Sequence, residues 1–324
     1  MTLARALRVW TAPIVQLRRP HDGIRGLMAK RRFHRGDLLM SVPLDCCYFP
    51  FASREARRLR RWNRSTLFPE MPLWLLRLSP DAQEERVSLT ASVSTEDNNV
   101  LNLVLSPVEA ALAISVAVRY FWWEIIKLNS KEEKSKSSSM MGPLKFRSAD
   151  LYVQSLPMKE HLSYGLEGPY LSTMEDEANL HSCIEQIAWN LRDCLLSYAS
   201  QEEYRLYDSH PSELDAVLLA AVYVVRTRLL RMSVLHNDCT VPDRSTGVIA
   251  PVVDFLNHSA FNYSCAACVS MRKRAVVVRA ARDINVGEEL TLNYRGTLKQ
   301  LGNSDLVGDG DWWESRYLIS TEEA

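Results

Sequence analysis

Residues 251–296 read PVVDFLNHSAFNYSCAACVSMRKRAVVVRAARDINVGEELTLNYRG and hold the side chains best suited to chemistry. Asp254, Asn257 and His258 fall within five residues, directly after an apolar run. A Gly-Glu-Glu turn follows at 287–289, and an Asn-Tyr pair at 293–294. Three kinds of chemistry can be set against this pattern. A metal centre needs three or four ligands, and one Asp with one His supplies two. A nucleophilic site needs a Cys or Ser paired with His258 and a third group to orient the imidazole. Ser259 is adjacent in sequence, and nothing marks it as activated. The remaining reading is structural: Asn and His side chains satisfy buried backbone groups where strands end.

Several elements must position these residues. Residues 248–253, 275–280 and 290–294 have the apolar, β-branched character of strands, with a turn at 284–289. Near the start, 14–17, 24–29 and 38–43 read as strands separated by glycine turns, the last closed by Pro43. A Gly turn there lets a ligand approach the backbone with no Cβ in the way. The middle is helical. Ser106, Pro107 and Glu109 form a strong helix start, and the pattern predicts a helix over 108–128. A short helix stopped by Pro157 is expected at 150–157, a long amphipathic one at 174–199, and another at 212–232. The last is apolar nearly all round and so predicts burial, with Arg226 and Arg228 at its foot. A charge at that place needs a carboxylate, a carbonyl or a ligand. The arginine-dense stretch 53–64 reads as a solvated helix face, 79–99 as a polar loop, and 129–142 as a disordered linker. Strands at both ends of a helical middle predict an α+β architecture in which segments far apart in sequence pair.

Composition narrows the function classes. With 47% hydrophobic residues, the 324-residue chain can build a sizeable core. Lys+Arg and Asp+Glu both number 39, which argues against a generally nucleic-acid-binding surface. Seven cysteines, an odd number, point to free thiols in a reducing compartment. The lone Cys265-x-x-Cys268 lacks the second pair of a four-thiolate zinc site, so no zinc is expected. No membrane span is expected: the most apolar run, 108–128, carries Glu109, Arg119, Glu124 and Lys127. The start carries Arg5, Arg8, Arg18 and Arg19 with no acid before residue 20, which resembles a mitochondrial transit peptide; the alternative is a frayed basic N-terminus running into the first strand, in a cytoplasmic or nuclear protein.

Taken together, residues 23–43, 150–157, 226–229, 251–262 and 279–294 resemble a SET-domain protein methyltransferase. The similarity is greatest to the subgroup typified by the plant Rubisco large-subunit lysine methyltransferase, whose SET domain is split by a long helical insert. The subgroup's Ser-Arg on a helix appears as Thr227-Arg228. Its Pro-x-x-Asp-x-x-Asn-His-Ser-x-x-x-Asn appears at 251–262, and its Gly-Glu-Glu-x-x-x-x-Tyr at 287–294. On this resemblance, 1–10 is a candidate targeting segment, 11–52 and 212–296 are the two parts of the SET domain, 53–211 is the helical insert, and 297–324 is a short C-terminal segment.

The resemblance implies a SET-domain β-fold of small curved sheets, threaded like a pseudoknot near the Asn-His segment. It implies S-adenosylmethionine (SAM) as cofactor, entering one face, and the lysine of a non-histone protein substrate entering from the other. Asn257 and His258 would hold the adenine and amino-acid portions of SAM. Arg228 and Asp254 would line the same pocket, Arg25, Gly26 and Leu27 would cradle it with backbone, and Tyr294 would contact the cofactor and sit where the methyl is transferred, as the catalytic residue. Methyl transfer is an in-line displacement, so alignment supplies much of the rate and no metal is needed. Three departures stand out. Ile24 replaces the first glycine of the family's Gly-x-Gly. Arg295 replaces the glycine that usually follows the tyrosine. Only 30 residues follow Tyr294, leaving the subgroup's helical substrate-binding domain without a counterpart. These departures motivate an alternative expectation, a catalytically inactive SET-fold protein acting as a binding or assembly module.

Overall fold

The structure, a computed structural model, describes residues 3–18, 25–48, 89–94, 100–105, 109–110, 112–121, 152–153, 156, 174–199, 201–235, 244–259 and 261–294. The chain opens with a helical turn, α1 (Leu3–Ala6), and four strands: β1 (Trp10–Thr11), β2 (Ile14–Arg18), β3 (Arg25–Ala29) and β4 (Leu38–Pro43). A hairpin of β5 (Leu89–Ser94) and β6 (Val100–Leu105) follows. Helical residues at 109–110 and 112–121 come next, and then the helices α2 (Met174–Tyr198), α3 (Gln201–Ser209) and α4 (Pro211–Arg228). The chain then returns to strands, β7 (Leu230–Leu235), β8 (Arg244–Val248), β9 (Asn257–His258), β10 (Cys265–Ser270), β11 (Ala275–Ala280) and β12 (Glu289–Leu292).

The two ends of the chain build one mixed sheet, in the order β1-β4-β11-β10-β12-β3-β2. Off this path, β7 joins β10 and β8, and β9 joins β12. Its centre is the run AVVVRA of β11, where β-branched side chains suit a pleated, buried surface. Val276 and Val278 are fully buried. Antiparallel pairing joins β11 to β4 (Val276↔Val42) and β12 to β3 (Leu290↔Leu27), so strands over 200 residues apart are neighbours. This is the α+β arrangement expected from strands at both ends.

Helix α4 forms where the sequence is most apolar. Pro211 stands at its first turn with Glu213, and Arg226 and Arg228 at its last, each sign matching the helix dipole. Residues 220–226 are all buried, and Arg192 of α2 clamps Asp215 of α4 at 2.8 Å.

Four segments differ from the sequence expectation. The helix expected to run to 232 stops at Arg228: the Leu229 backbone is extended, and LRMSVL continues as β7, parallel to β10. Tertiary pairing overrides local helix pattern there. The loop expected at 79–99 contains β5, whose LTASVS pairs residue for residue with β6. The strand expected at 248–253 ends at Val248, because Val252 has φ 72° and Val253–Phe255 makes one tight helical turn. Strand β10, CAACVS, carries no β-branched run and was not expected as a separate strand. Residues 109–110 and 112–121 of the expected 108–128 helix are helical, whereas 53–64 and 129–142 lie outside the described residues.

Cys265, at the start of β10, is buried, and burial pushes its thiol up to about 11 against smaller lowering by Ser264 and the Thr291 backbone. The folded state therefore favours the neutral thiol. Its contribution is fully present below pH 9, the unfolded value. It is lost as pH rises through the folded value. Chemical denaturation across pH 8–12 is expected to show stability falling between about 9 and 11 and a shallower fall in Cys265→Ala. Parallel slopes would contradict this assignment.

Candidate functional site

Strand β12 organises the site because it changes partner midway. Glu289 and Leu290 pair with Met28 and Leu27 of β3, whereas Thr291 and Leu292 pair in parallel with Asn257 and His258 of β9. The opposite edge is closed by Ser264, which donates its N–H to the Thr291 carbonyl (3.2 Å) and accepts the Thr291 N–H on Oγ (2.8 Å). One edge of β12 is thus shared by two strands that part from each other. The register gives Arg25 and Gly26 partners in β2 but none in β12. Backbone donors and acceptors at such a fork are available to a ligand.

Gly26 and Asn257 face one another across that fork. The Asn257 Nδ2 amide donates to Glu289 Oε1 at 2.7 Å. A Cβ on residue 26 would come within 2.6 Å of the same Glu289 oxygen and 3.1 Å of Asn257 Nδ2. Glycine leaves room for the carboxylate and amide to lie against the β3 backbone, and a side chain there would displace the end of Glu289.

His258 and Tyr294 form the second part. His258 Nδ1 accepts the Tyr294 backbone N–H at 3.0 Å, which puts the proton of a neutral imidazole on Nε2. The two rings lie 5.1 Å apart. The Tyr294 hydroxyl donates to the Leu256 carbonyl at 2.5 Å. That bond uses the phenol proton and leaves the oxygen lone pairs as acceptors.

Beneath them lies a buried ion pair. Arg228 Nη1 sits 2.6 Å from Asp254 Oδ2, with side chains 17% and 1% exposed. Burial alone would lower the Arg228 pKa. The Asp254 carboxylate, with Tyr152 and Tyr294 adding to it, outweighs that and keeps the guanidinium charged. Burial, and next the Asp254 carboxylate, push the Tyr152 phenol well above its ordinary range, so it remains a neutral hydroxyl. Arg228 also lies over the Phe255 ring at 5.8 Å. Its Nε–H is buried without a hydrogen-bond acceptor among the described residues, a donor suited to a ligand carboxylate. The positive φ of Val252, strained for a β-branched residue, turns the chain so that Asp254 points at Arg228.

Every residue singled out from the sequence falls in this region. Gly26 and Leu27 lie on β3, Asn257 and His258 on β9, Asp254 in the turn before β9, Arg228 at the foot of α4, and Tyr294 just beyond β12. Arg25 is the first residue of β3. Arg228 and Asp254 contact each other first of all, so they form the floor of the site as a pair. Sequence reasoning missed Glu289, Tyr152, the Leu256 carbonyl and Ser264. For Glu289 the Gly-Glu-Glu motif was the signal, with no role attached to its second acid. For Tyr152 it was a tyrosine in the helical turn before Leu156-Pro157. The other two carried no signal, since a carbonyl and a lone serine look like any others. Among the described residues no cluster of three or more His, Cys, Asp or Glu could hold a metal ion. No helix among them is long and apolar enough to cross a membrane.

A family model for the SET domain matches residues 24–295. That span covers the fork and nearly all of the sheet, and the chain belongs to the SET-domain family. No curated protein matches it. Among solved structures, it is similar to the SET domain of LSMT bound to lysine and AdoHcy, with 14% identity and a TM-score of 0.48, over 98% of this chain and 55% of that one. It is also similar to the SET domain of LSMT bound to MeLysine and AdoHcy, with 15% identity and a TM-score of 0.37, over 90% of this chain and 51% of that one. The chain spans about half the length of the solved structures it matches.

Proposed function

We propose that the chain is a SAM-dependent protein-lysine methyltransferase acting on a non-histone protein. The observation that carries this reading is the fixing of Tyr294 at two points, its hydroxyl on the Leu256 carbonyl and its N–H on His258, beside the fork of β12. SET-domain membership supports it; the LSMT structures hold lysine and AdoHcy, the demethylated form of SAM.

In this reading the backbone of Arg25–Leu27 and the Asn257–His258 strand hold the cofactor, with Arg228 Nε–H available to its carboxylate. SAM supplies an electrophilic methyl group on a sulfonium. The neutral lysine amine needs an acceptor to orient it, and the Tyr294 oxygen is placed to act as one, because its own proton is committed to Leu256. A desolvated channel lowers the lysine pKa toward the neutral form.

Titration calorimetry tests the reading. The wild-type chain is expected to bind SAM and AdoHcy, and Asn257→Ala and His258→Ala each to weaken binding roughly tenfold, about the worth of one or two lost hydrogen bonds. Absence of heat with either ligand would sink it. One observation favours a second reading, a catalytically inactive SET-fold module: the Asn257 amide already spends one N–H on Glu289. Calorimetry separates the two, because an inactive module that has lost the cofactor gives no heat. We also propose a mitochondrial location from the arginine-rich start, with the cytoplasm or nucleus as the alternative, and a fluorescent tag at the C-terminus distinguishes them.

A further inference from the structure

Three turns outside the fork come together at one surface: 30–37 between β3 and β4, 261–264 before β10, and 281–288 between β11 and β12. Two side chains tie them. Asp283 accepts the Arg35 backbone N–H at 3.0 Å and Arg32 Nη2 at 3.3 Å, and lies 3.5 Å from His34 Nδ1. These contacts hold its carboxyl below its ordinary range. Arg282 donates to the Asn262 carbonyl at 3.0 Å and pairs with Glu288. Phe33 and Ile284 exchange backbone hydrogen bonds of 2.9 Å between the first and third turns. The surface is therefore braced before any partner arrives.

What it presents is unusual for a solvated face. Phe261 is 93% exposed and Val286 66%, one on each of the two turns that Arg282 joins, and Tyr263 is half-exposed nearby. The same turns carry Lys30, Arg31, Arg32, Arg35 and Arg282, and Arg279 of β11 reaches them by donating to the Gly36 carbonyl; the carboxylates there are Asp37, Asp283 and Glu288. In a chain of zero formal charge this is a local positive excess. The guanidinium groups of Arg31 and Arg35 have no carboxylate partner among the described residues. Arg31 lies instead over the Phe33 ring at 5.0 Å.

We propose that this three-turn surface docks an acidic polypeptide segment carrying an apolar anchor residue. Exposed aromatic groups ringed by arginine are the composition of protein–protein hot spots. A nucleic acid fits less well. Its affinity grows with the number of phosphates neutralised, and three carboxylates in the same patch would repel them. The aliphatic Val286 also offers no stacking face to a base. The proposal stands on this surface alone and does not rest on the methyl-transfer reading.

Fluorescence anisotropy of the full chain tests it with three labelled probes: a peptide alternating glutamate with leucine and phenylalanine, the same peptide with lysine for glutamate, and a single-stranded oligonucleotide. The acidic peptide is expected to bind, and the lysine peptide and oligonucleotide to bind at least about tenfold more weakly. Arg35→Glu and Phe261→Ser are each expected to weaken the acidic peptide roughly tenfold. Both side chains are exposed, so cooperative thermal unfolding and SAM calorimetry like the wild type's are expected to show that the fold is kept. No binding of the acidic peptide, equal binding of the lysine peptide, tighter binding of the oligonucleotide, or variants without effect would each overturn the proposal.

Discussion

Replacing Asp254 with alanine is expected to destabilise the fold by about 3–5 kcal/mol, the cost of leaving a buried charge without its partner. The carboxylate is 1% exposed and 2.6 Å from a guanidinium that is itself largely buried. Removal would leave Arg228 desolvated between Tyr152 and the Phe255 ring. Urea denaturation with a constant m-value measures the loss. The double variant Arg228→Met/Asp254→Leu is expected to recover much of it, since a well-packed apolar pair of similar volume removes both the attraction and the desolvation cost. A single variant that loses less than about 1 kcal/mol would mean the pair is solvated and no floor to the site.

The second large effect is on turnover. Tyr294→Phe removes the hydroxyl bound to the Leu256 carbonyl and with it the acceptor proposed for the lysine amine. Methyl transfer from labelled SAM to protein lysine is expected to fall about a hundredfold, in the range typical of a lost polar contact at a reacting centre. Cofactor affinity is expected to stay within about twofold, because the His258 contact is to the Tyr294 backbone and survives. Stability is expected to fall by about 1 kcal/mol, the net worth of one hydrogen bond. Equal losses in cofactor binding and turnover would place the hydroxyl in binding instead of transfer.

The sequence made the two ends of the fold legible because their residues combine strong local preference with motif spacing. The β11 run of valines and the Gly36 and Gly287 turns, both at positive φ, are dictated locally. Spacing draws notice to Asp254, Asn257, His258 and Tyr294, and the resemblance to the SET-domain family makes them site residues; the fold sets Asp254, His258 and Tyr294 near one another. What stayed hidden was relational. Nothing in LRMSVL says that it leaves α4 and pairs with β10, since its backbone conformation is decided by strands formed later in the chain. The change of partner along β12 cannot be read from ELTL, because register is set by the strands on either side. Glu289 acquires its role only once Gly26, more than 260 residues earlier, is placed within reach of it. Arg228 and Asp254 were named as pocket residues, and their bond to each other is a fact of tertiary structure.

The fork of β12 as a cofactor site is the claim on which the rest depends, and a crystal structure of the chain soaked with AdoHcy tests it most directly. The account predicts ligand density between the backbone of Arg25–Leu27 and Asn257–His258, with the ligand carboxylate within hydrogen-bond reach of Arg228 Nε. Density elsewhere on the chain, or an empty fork at saturating AdoHcy, would contradict it.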